Sequence, residues 1–359
     1  MGKYDKDRFQ KELALRYCLA RGSMPFLEVI VPSSSDLSDT VEVLTDIDVL
    51  GIDYSGDGGL FRTIFDCKTG KMSPINRAFW AAGLRDYARC DDAMVILKSR
   101  AVHNHRISAL TIDVDLHDEK SFESLGQTFD QQFSADTRYQ SSIDRWNALY
   151  DVWSKDKWTA PLFDIARNQV PLSRQAWTTF RRLVAEIRDV RGSFDPSKKG
   201  HIALYLDTMA SAFVLWSAIG RDVRRFYEPS MDRKAFETIF RYYIWGGRES
   251  YLAKQQLRPA DDVGHRPPLE MPAWPKLVDF AGLVVAAPQE IFSCATVCRD
   301  LALRTACGIN PDFDAELKKE VGASKRINQY VVGLSDYLAA AANLPKDLSK
   351  EVNSILFSV

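Results

Sequence analysis

The period of the hydrophobic pattern changes near residue 130, and this change limits the fold more than any other feature of the sequence. Between residues 25 and 115, apolar residues alternate with polar ones or form short β-branched runs: PFLEVIV, TVEVLTDIDVLGI, LFRTIFDCK, AMVILKS and ALTIDVDL. These runs predict five strands. Beyond residue 130, long amphipathic segments predict helices instead. We therefore expect an α/β domain over 1–130 and a mostly α-helical domain over 131–359.

Two helices are predicted to flank the strands. The first lies before the first strand and ends at Gly22, a common C-terminal signal. The second lies between the third and fourth strands and begins at Pro74. Their expected apolar faces are Phe9, Leu13, Tyr17 and Ala20 in the first, and Ile75, Phe79, Ala82 and Leu84 in the second. The order helix, three strands, helix, strand, helix or turn, strand predicts a mixed sheet flanked by helices.

The second half of the chain is predicted to be helical throughout, apart from its loops. A proline-rich segment, 258–275, predicts one irregular loop. Most of the tryptophans lie in this half, where they are expected to anchor a core; an aromatic groove for bases is the alternative. The predicted helices are 140–154, 173–191, 201–227, 232–257, 289–307 and 312–342.

Composition and charge narrow the class of protein. With 46% hydrophobic and 26% charged residues, the chain is expected to be globular, and a net charge of −1 argues against a wholly basic nucleic-acid binder. The six cysteines have no regular spacing, which favours a reducing cytoplasm over a disulfide framework. The longest uncharged apolar stretch, 209–220, is shorter than the roughly 20 residues of a membrane helix. We therefore expect a cytoplasmic protein with no membrane partner.

Two acidic residues and a lysine are predicted to converge on the second and third strands. Side chains alternate along a strand, so Asp66 and Lys68 share one face while Cys67 points the other way. If the glycine-rich run DYSGDGG forms a hairpin turn, that face meets the one that carries Asp48. Asp46 lies on the same face as Asp48, so the choice between these two acids stays open.

Such a cluster of residues suits a divalent cation. Neighbouring carboxylates raise each other's pKa unless a cation joins them, and hard oxygen ligands suit Mg²⁺ or Mn²⁺. A lysine beside them can hold a water nucleophile and neutralise a phosphate, while a metal lowers the pKa of that water. A solvated strand face with a chance D-x-K triplet is the plainer alternative.

The strand DIDVLGI followed after a turn by IFDCKTGK, with a helix before and a helix and strand after, resembles the PD-(D/E)xK superfamily of restriction-endonuclease-like nucleases. The resemblance covers about the first 130 residues. It implies that Asp48 and Asp66 are metal ligands, that the backbone carbonyl of Cys67 is a further ligand, and that Lys68 is catalytic. Glu12 in the leading helix matches the position of a glutamate that faces the metal in some members.

The match has one departure, because Ile47 stands where the family has a proline before the first acid. The resemblance implies a Mg²⁺-dependent endonuclease that leaves a 5′-phosphate and a 3′-hydroxyl. It favours DNA over RNA as the substrate, and by analogy a role in prokaryotic defence against foreign DNA. The alternative is a non-catalytic nuclease-like scaffold or nucleic-acid-binding subunit of a larger assembly.

The charges near this motif change sign along the chain. Residues 36–57 contain seven acidic residues and no basic ones, whereas residues 60–110 contain nine basic residues and four acidic ones. An acidic metal centre beside a basic flank is what a polyanion-cutting site requires. Two surfaces of different charge are the alternative reading.

Two arginine-rich segments stand out in the predicted helical domain, RRLVAEIRDVRG at 181–192 and RDVRRFY at 221–227. They could follow a nucleic-acid backbone, or pair with the interleaved acids as a solvated surface; the second reading is slightly favoured. We expect the helical domain to recognise substrate, a protein partner or a trigger. The oligomeric state stays open, with a homo-oligomer as one alternative.

Overall fold

Five strands form one mixed sheet in the N-terminal part of the chain, as the alternating pattern predicts. The computed structural model describes residues 2–33, 40–54, 59–70, 72–260 and 266–359. The predicted turn residues 55–58, Lys71 and part of the predicted loop at 261–265 lie outside this range. The strands are β1 (Met24–Pro32), β2 (Val43–Tyr54), β3 (Leu60–Lys68), β4 (Asp92–Leu97) and β5 (Val114–Asp118).

Helices flank the sheet and make up most of the remaining chain. Those near the sheet in sequence are α1 (Arg8–Arg21), α2 (Pro74–Ala88), α3 (His103–Leu110), α4 (Glu119–Gln127) and α5 (Ile143–Ser154). Later helices are α6 (Ala160–Asp164), α7 (Ala176–Asp189), α8 (Lys199–Phe226), α9 (Arg233–Ile244), α10 (Arg248–Gln256), α11 (Trp274–Ala286), α12 (Gln289–Cys307), α13 (Pro311–Gly322), α14 (Lys325–Ala342) and α15 (Lys346–Phe357).

The sheet has the strand order β1-β2-β3-β4-β5. The first three strands form an antiparallel meander, and β3, β4 and β5 are parallel with α2 and α3 as the crossovers. Helices α1 and α4 pack on one face of the sheet, and α2 and α3 pack on the other. The mixed sheet flanked by helices, followed by a mostly helical region, is therefore confirmed.

Several local predictions were wrong. The fifth strand was expected over ALTIDVDL, but Ala109 and Leu110 end α3 and β5 starts only at Val114. In α2 the buried residues are Ala78, Ala81 and Leu84; Leu84 was predicted, whereas Ala78 and Ala81 are buried in place of Phe79 and Ala82. Phe79 and Trp80 are exposed by 57% and 48% as a result. The segments 232–257 and 312–342 each form two helices rather than one.

The chain folds as two compact units. The first comprises 1–155 with 302–317, and the second comprises 156–301 with 318–359. The first unit extends beyond the expected boundary near residue 130 because Phe133, Ile143 and Trp146 belong to the core beneath α1.

The second unit is built around α8, whose residues are almost all buried. On length and composition, α8 alone among the described helices could cross a membrane, and 94% of its apolar window is buried inside the protein. The bent pair α11 and α12 passes the same test only when counted as one span. Trp216 packs edge-on to Phe180 and Phe280 and, like Trp146 in the first unit, is a core anchor, as the sequence predicts.

Candidate functional site

The strands β2 and β3 separate at the point where the predicted acidic residues lie. The last paired residues are Val49 and Phe65, and the pairing does not continue to Asp66 and Cys67. The backbone N–H of Cys67 instead donates to Oδ2 of Asp48 at 2.8 Å. Because N–H and C=O of one residue in an extended strand point the same way, the Cys67 carbonyl faces the Asp48 side.

Lys68 lies among three carboxylates. Its ammonium donates to Asp48 Oδ2 at 2.7 Å and lies 3.5 Å from Asp66 Oδ1. A third carboxylate, Asp7 Oδ2 at the start of α1, is 3.9 Å away. Asp7 is fixed in place by Thr69, whose N–H and hydroxyl both donate to its Oδ1. The structure thus brings Asp48, Asp66 and Lys68 together on one face.

Arg77 from the first turn of α2 binds the carboxylate of Asp66. Its Nε donates to Oδ2 at 2.7 Å, and its Nη2 donates to Oδ1. The pair is bidentate, a geometry that guanidinium groups favour with carboxylates. Asp66 is therefore shared between Arg77 and Lys68.

A second lysine, Lys11, belongs to the site, although it is not predicted from the sequence pattern. Lys11 of α1 has a fully buried side chain, donates to Glu28 of β1, and lies 4.0 Å from Asp48 Oδ1. Glu28 has φ +49° and falls opposite Asp48, between the paired residues Leu27 and Val29. The helical spacing of Lys11 with two buried residues, Leu15 and Cys18, is the signal that could have placed it inward.

Glu12 and Asp46 lie apart from the point where the acids and Lys68 meet. The carboxylate of Glu12 accepts from the N–H of Ile143 at 3.0 Å, at the start of α5, and forms ion pairs with Arg8 and Arg16. The structure thus places Glu12 at a helix N-terminus rather than beside Asp48. Asp46 is exposed and shares a hydrogen bond with Glu28, whereas Asp48 is 8% exposed.

The site changes the protonation equilibria of its members. Burial raises the pKa of Asp48, and the nearby ammonium of Lys68 only partly offsets this. Burial alone would lower the pKa of Lys68, but the carboxylates of Asp48 and Asp66 outweigh it and raise that pKa. Burial and the hydrogen bond with Asp46 raise the pKa of Glu28 to about 7, while the same hydrogen bond lowers the pKa of Asp46. Negative charge is in excess here.

A divalent cation would suit this excess. Four carboxyl groups, those of Asp7, Glu28, Asp48 and Asp66, face the cations Lys11, Lys68 and Arg77, which leaves one negative charge uncompensated when Glu28 is ionised. Asp7 Oδ2 is buried and makes no hydrogen bond. The described residues do not already hold three acidic, histidine or cysteine groups in a metal-binding arrangement. Asp48, Asp66 and the Cys67 carbonyl supply the hard oxygen donors that Mg²⁺ or Mn²⁺ requires.

The sheet is basic at the C-terminal ends of β3 and β4, beside the carboxylate cluster formed by Asp7, Asp48 and Asp66 around Lys68. Because β3 and β4 are parallel, the residues that follow them emerge at the same edge, where the N–H of Lys98 donates to the carbonyl of Lys68. Lys98 and Arg100 are exposed there. On α2, the exposed ring of Trp80 lies 5.8 Å from the guanidinium of Arg77.

Comparisons with models of known protein families, with curated proteins and with solved structures found no match for this chain.

Proposed function

We propose that the first unit is a Mg²⁺- or Mn²⁺-dependent nuclease with a restriction-endonuclease-like fold. The proposal depends chiefly on one observation: the ammonium of Lys68 contacts carboxylates from two neighbouring strands, Asp48 and Asp66. The order of elements around them, helix, three antiparallel strands, helix and parallel strand, also matches that fold.

The residues divide the work of phosphodiester hydrolysis as follows. Asp48, Asp66 and the Cys67 carbonyl would hold the metal, which supplies Lewis acidity and lowers the pKa of a bound water. The Lys68 ammonium orients the attacking water and offsets negative charge on the scissile phosphate. Asp7 and Thr69 fix the start of α1 to the end of β3 and so hold Lys68 in place. Water attacks phosphorus in line and loses a proton to solvent, the bond between phosphorus and O3′ breaks, and the leaving O3′ takes up a proton, which gives a 5′-phosphate and a 3′-hydroxyl.

The surroundings of the site suit a nucleic acid. Lys98 and Arg100 present positive charge at the sheet edge where Lys68 ends β3, and cations neutralise backbone phosphates. The exposed rings of Phe79 and Trp80 offer stacking surfaces for bases. We infer that DNA is the substrate, in a cytoplasmic role of defence against foreign DNA, with the second unit as the part that recognises substrate, partner or trigger.

A non-catalytic nuclease-like scaffold is the second candidate, and Arg77 favours it. The guanidinium binds both oxygens of Asp66, so the cluster already has a cation where a catalytic metal would bind. In the nuclease, Arg77 must give up at least one Asp66 oxygen to the metal. In a scaffold, the Arg77–Asp66 pair is permanent.

Metal binding and plasmid cleavage separate the two candidates. For the nuclease, Mn²⁺ binding followed by electron paramagnetic resonance is abolished in Asp66→Asn and retained in Lys68→Met. Cleavage of supercoiled plasmid with Mg²⁺ falls at least about 100-fold in both variants. Arg77→Gln tightens Mn²⁺ binding because a competing cation is removed.

The matched control is Asp53→Asn on β2, whose carboxylate binds Ser23 and Arg21 away from the cluster. It is expected to bind Mn²⁺ and cleave plasmid as the unmodified protein does. Absence of site-specific Mn²⁺ binding in the unmodified protein, or cleavage that survives in Asp66→Asn and Lys68→Met, would contradict the nuclease and leave the scaffold.

A further inference from the structure

A cavity of about 630 Å³ lies in the second unit and shares no residue with the carboxylate cluster. One wall is a face of α7, and the opposite wall comes from the end of α9 and the residues before α11. A volume between roughly 300 and 1,000 Å³ is typical of sites for small molecules. The lining residues are Thr178, Arg181, Arg182, Val184, Ala185, Arg188, Asp189, Trp245, Glu270, Met271 and Pro272.

Three arginines of the cavity have no acidic partner among the described residues. Within the described parts of the chain, the guanidiniums of Arg181, Arg182 and Arg188 make no hydrogen bond and no ion pair. The favoured reading of this segment as salt-bridged surface is therefore wrong for these three. Of the two acids in the lining, Glu270 is bound to Arg241, and only Asp189 opposes the three positive charges.

Arg181 is held in an environment that disfavours its charge. Its guanidinium lies over the rings of Trp177 and Trp245, 5.1 and 4.5 Å from the ring centres. Its Nε is buried without a hydrogen-bond partner. Burial lowers the pKa of Arg181. Cation–π contacts offset part of the desolvation, but a half-buried guanidinium without a carboxylate is best stabilised by an anion.

The backbone after α9 is shaped for this arrangement. Gly246 has φ +86°, and a Cβ built there would lie 2.6 Å from the Trp177 ring. Only glycine allows the turn to approach the indole so closely. The turn at Gly246 thereby places Trp245 beside Arg181, so this wall of the cavity depends on the backbone conformation of that glycine.

Apart from Thr178, the rest of the lining is apolar. Val184 and Ala185 line the α7 side, and Trp245, Met271 and Pro272 line the opposite side. A flat apolar surface beside unpaired guanidiniums fits a ligand with both a planar ring and phosphate groups, since arginine binds phosphate oxygens in a bidentate manner. We propose that this cavity binds a free nucleoside phosphate.

Isothermal titration calorimetry on the full chain in EDTA tests this proposal, with ADP as the probe. The buffer keeps divalent cations from the carboxylate cluster, so the result is independent of nuclease activity. We expect ADP to bind with Kd below about 1 mM, and adenosine and pyrophosphate to bind at least about 10-fold more weakly. Arg181→Met and Arg188→Met should each weaken ADP binding by about 10- to 100-fold, the usual effect of losing a charged hydrogen bond.

The matched control is Arg174→Met, an exposed arginine just before α7 that does not line the cavity. It should bind ADP normally. Arg188 is exposed and touches neither tryptophan, so its variant guards against a loss of binding caused by misfolding. Three results would overturn the proposal: no ADP binding by the full chain, ADP binding in both cavity variants as tight as in the unmodified protein, or pyrophosphate binding as tight as that of ADP. Tighter, Arg181-dependent binding of a single-stranded oligonucleotide would assign the cavity to nucleic acid instead.

Discussion

Lys11 and Glu28 show how single residues of the cluster depend on each other. The lysine side chain is fully buried, and the glutamate that faces it occupies a left-handed backbone conformation. Buried charges persist in proteins when they are paired and hydrogen-bonded. Lys11 of α1 lies between Glu28 of β1 and Asp48 of β2, and its ion pair with Glu28 holds the glutamate opposite Asp48.

Glu28 gives a prediction about pH. Its pKa in the folded protein is raised from an ordinary value of 4.5 to about 7, so the folded state holds a proton that the unfolded state releases. The stability that this proton provides is complete below about pH 4.5 and is lost as pH rises through about 7. Glu28→Gln keeps a neutral group at all pH values. The free energy of unfolding of this variant, relative to that of the unmodified protein, should therefore rise by up to about 3 kcal/mol from pH 5 to pH 8.

Chemical denaturation in EDTA at several pH values measures this difference. Glu42→Gln, which changes an exposed carboxylate before β2, serves as the control and should track the unmodified protein. Parallel pH profiles for Glu28→Gln and the unmodified protein would show that Glu28 titrates normally.

At the scale of single elements, packing between α1 and β2 depends on one glycine. A Cβ at Gly51 would lie 2.9 Å from Sγ of Cys18 and 3.2 Å from Cε2 of Phe65. Both neighbours are buried in the core and have little room to move. We predict that Gly51→Ala lowers the free energy of unfolding by about 1–3 kcal/mol, a usual effect of overpacking a core.

Gly83→Ala in α2 is the matched control, since no atom lies within 4 Å of a Cβ built there. Alanine favours helix over glycine, so this variant should be more stable by roughly 0.5–1 kcal/mol. Urea denaturation of both variants checks the pair. Equal effects of the two substitutions would contradict the packing explanation.

The sequence predicted the strands of the sheet and the triad of Asp48, Asp66 and Lys68 because alternation and turn residues are local signals. It did not predict Lys11, Glu28 or Arg77, whose roles depend on which faces meet in three dimensions. The apolar face of α2 was misplaced because Phe79 and Trp80 are large and apolar yet exposed. Large apolar side chains on the exposed side of a helix disturb the hydrophobic pattern that locates its buried face.

At the scale of the whole molecule, the first unit includes residues that the sequence assigned to the helical domain. Trp146 is 1% exposed in the core beneath α1, and its indole donates to the carbonyl of Gln140. The pattern near residue 130 marks a change of secondary structure, which need not coincide with the limit of a compact unit. Tertiary contacts set that limit, and local periodicity does not report them.

Hydrogen exchange on the full chain tests this division into units. Trp146→Ala should increase amide exchange in β2 and β3, because removing a buried tryptophan costs about 3–5 kcal/mol in its own core. Trp216→Ala, the matched change in the second unit, should increase exchange in α8 instead. The opposite pattern, with Trp146→Ala acting on α8 and sparing the strands, would place the boundary near residue 130.

The segment 302–317 belongs to the first unit but is synthesised after residues 156–301 of the second unit, so the first unit is completed late in translation. Phe313 packs edge-on to the Tyr139 ring, and Asp314 accepts from the Tyr139 hydroxyl at 2.7 Å and pairs with Arg304. A ribosome reaches these residues only after it has translated 156–301, which at typical rates takes on the order of 10 s. The first unit therefore lacks the segment that packs on Tyr139 until most of the second unit has been synthesised.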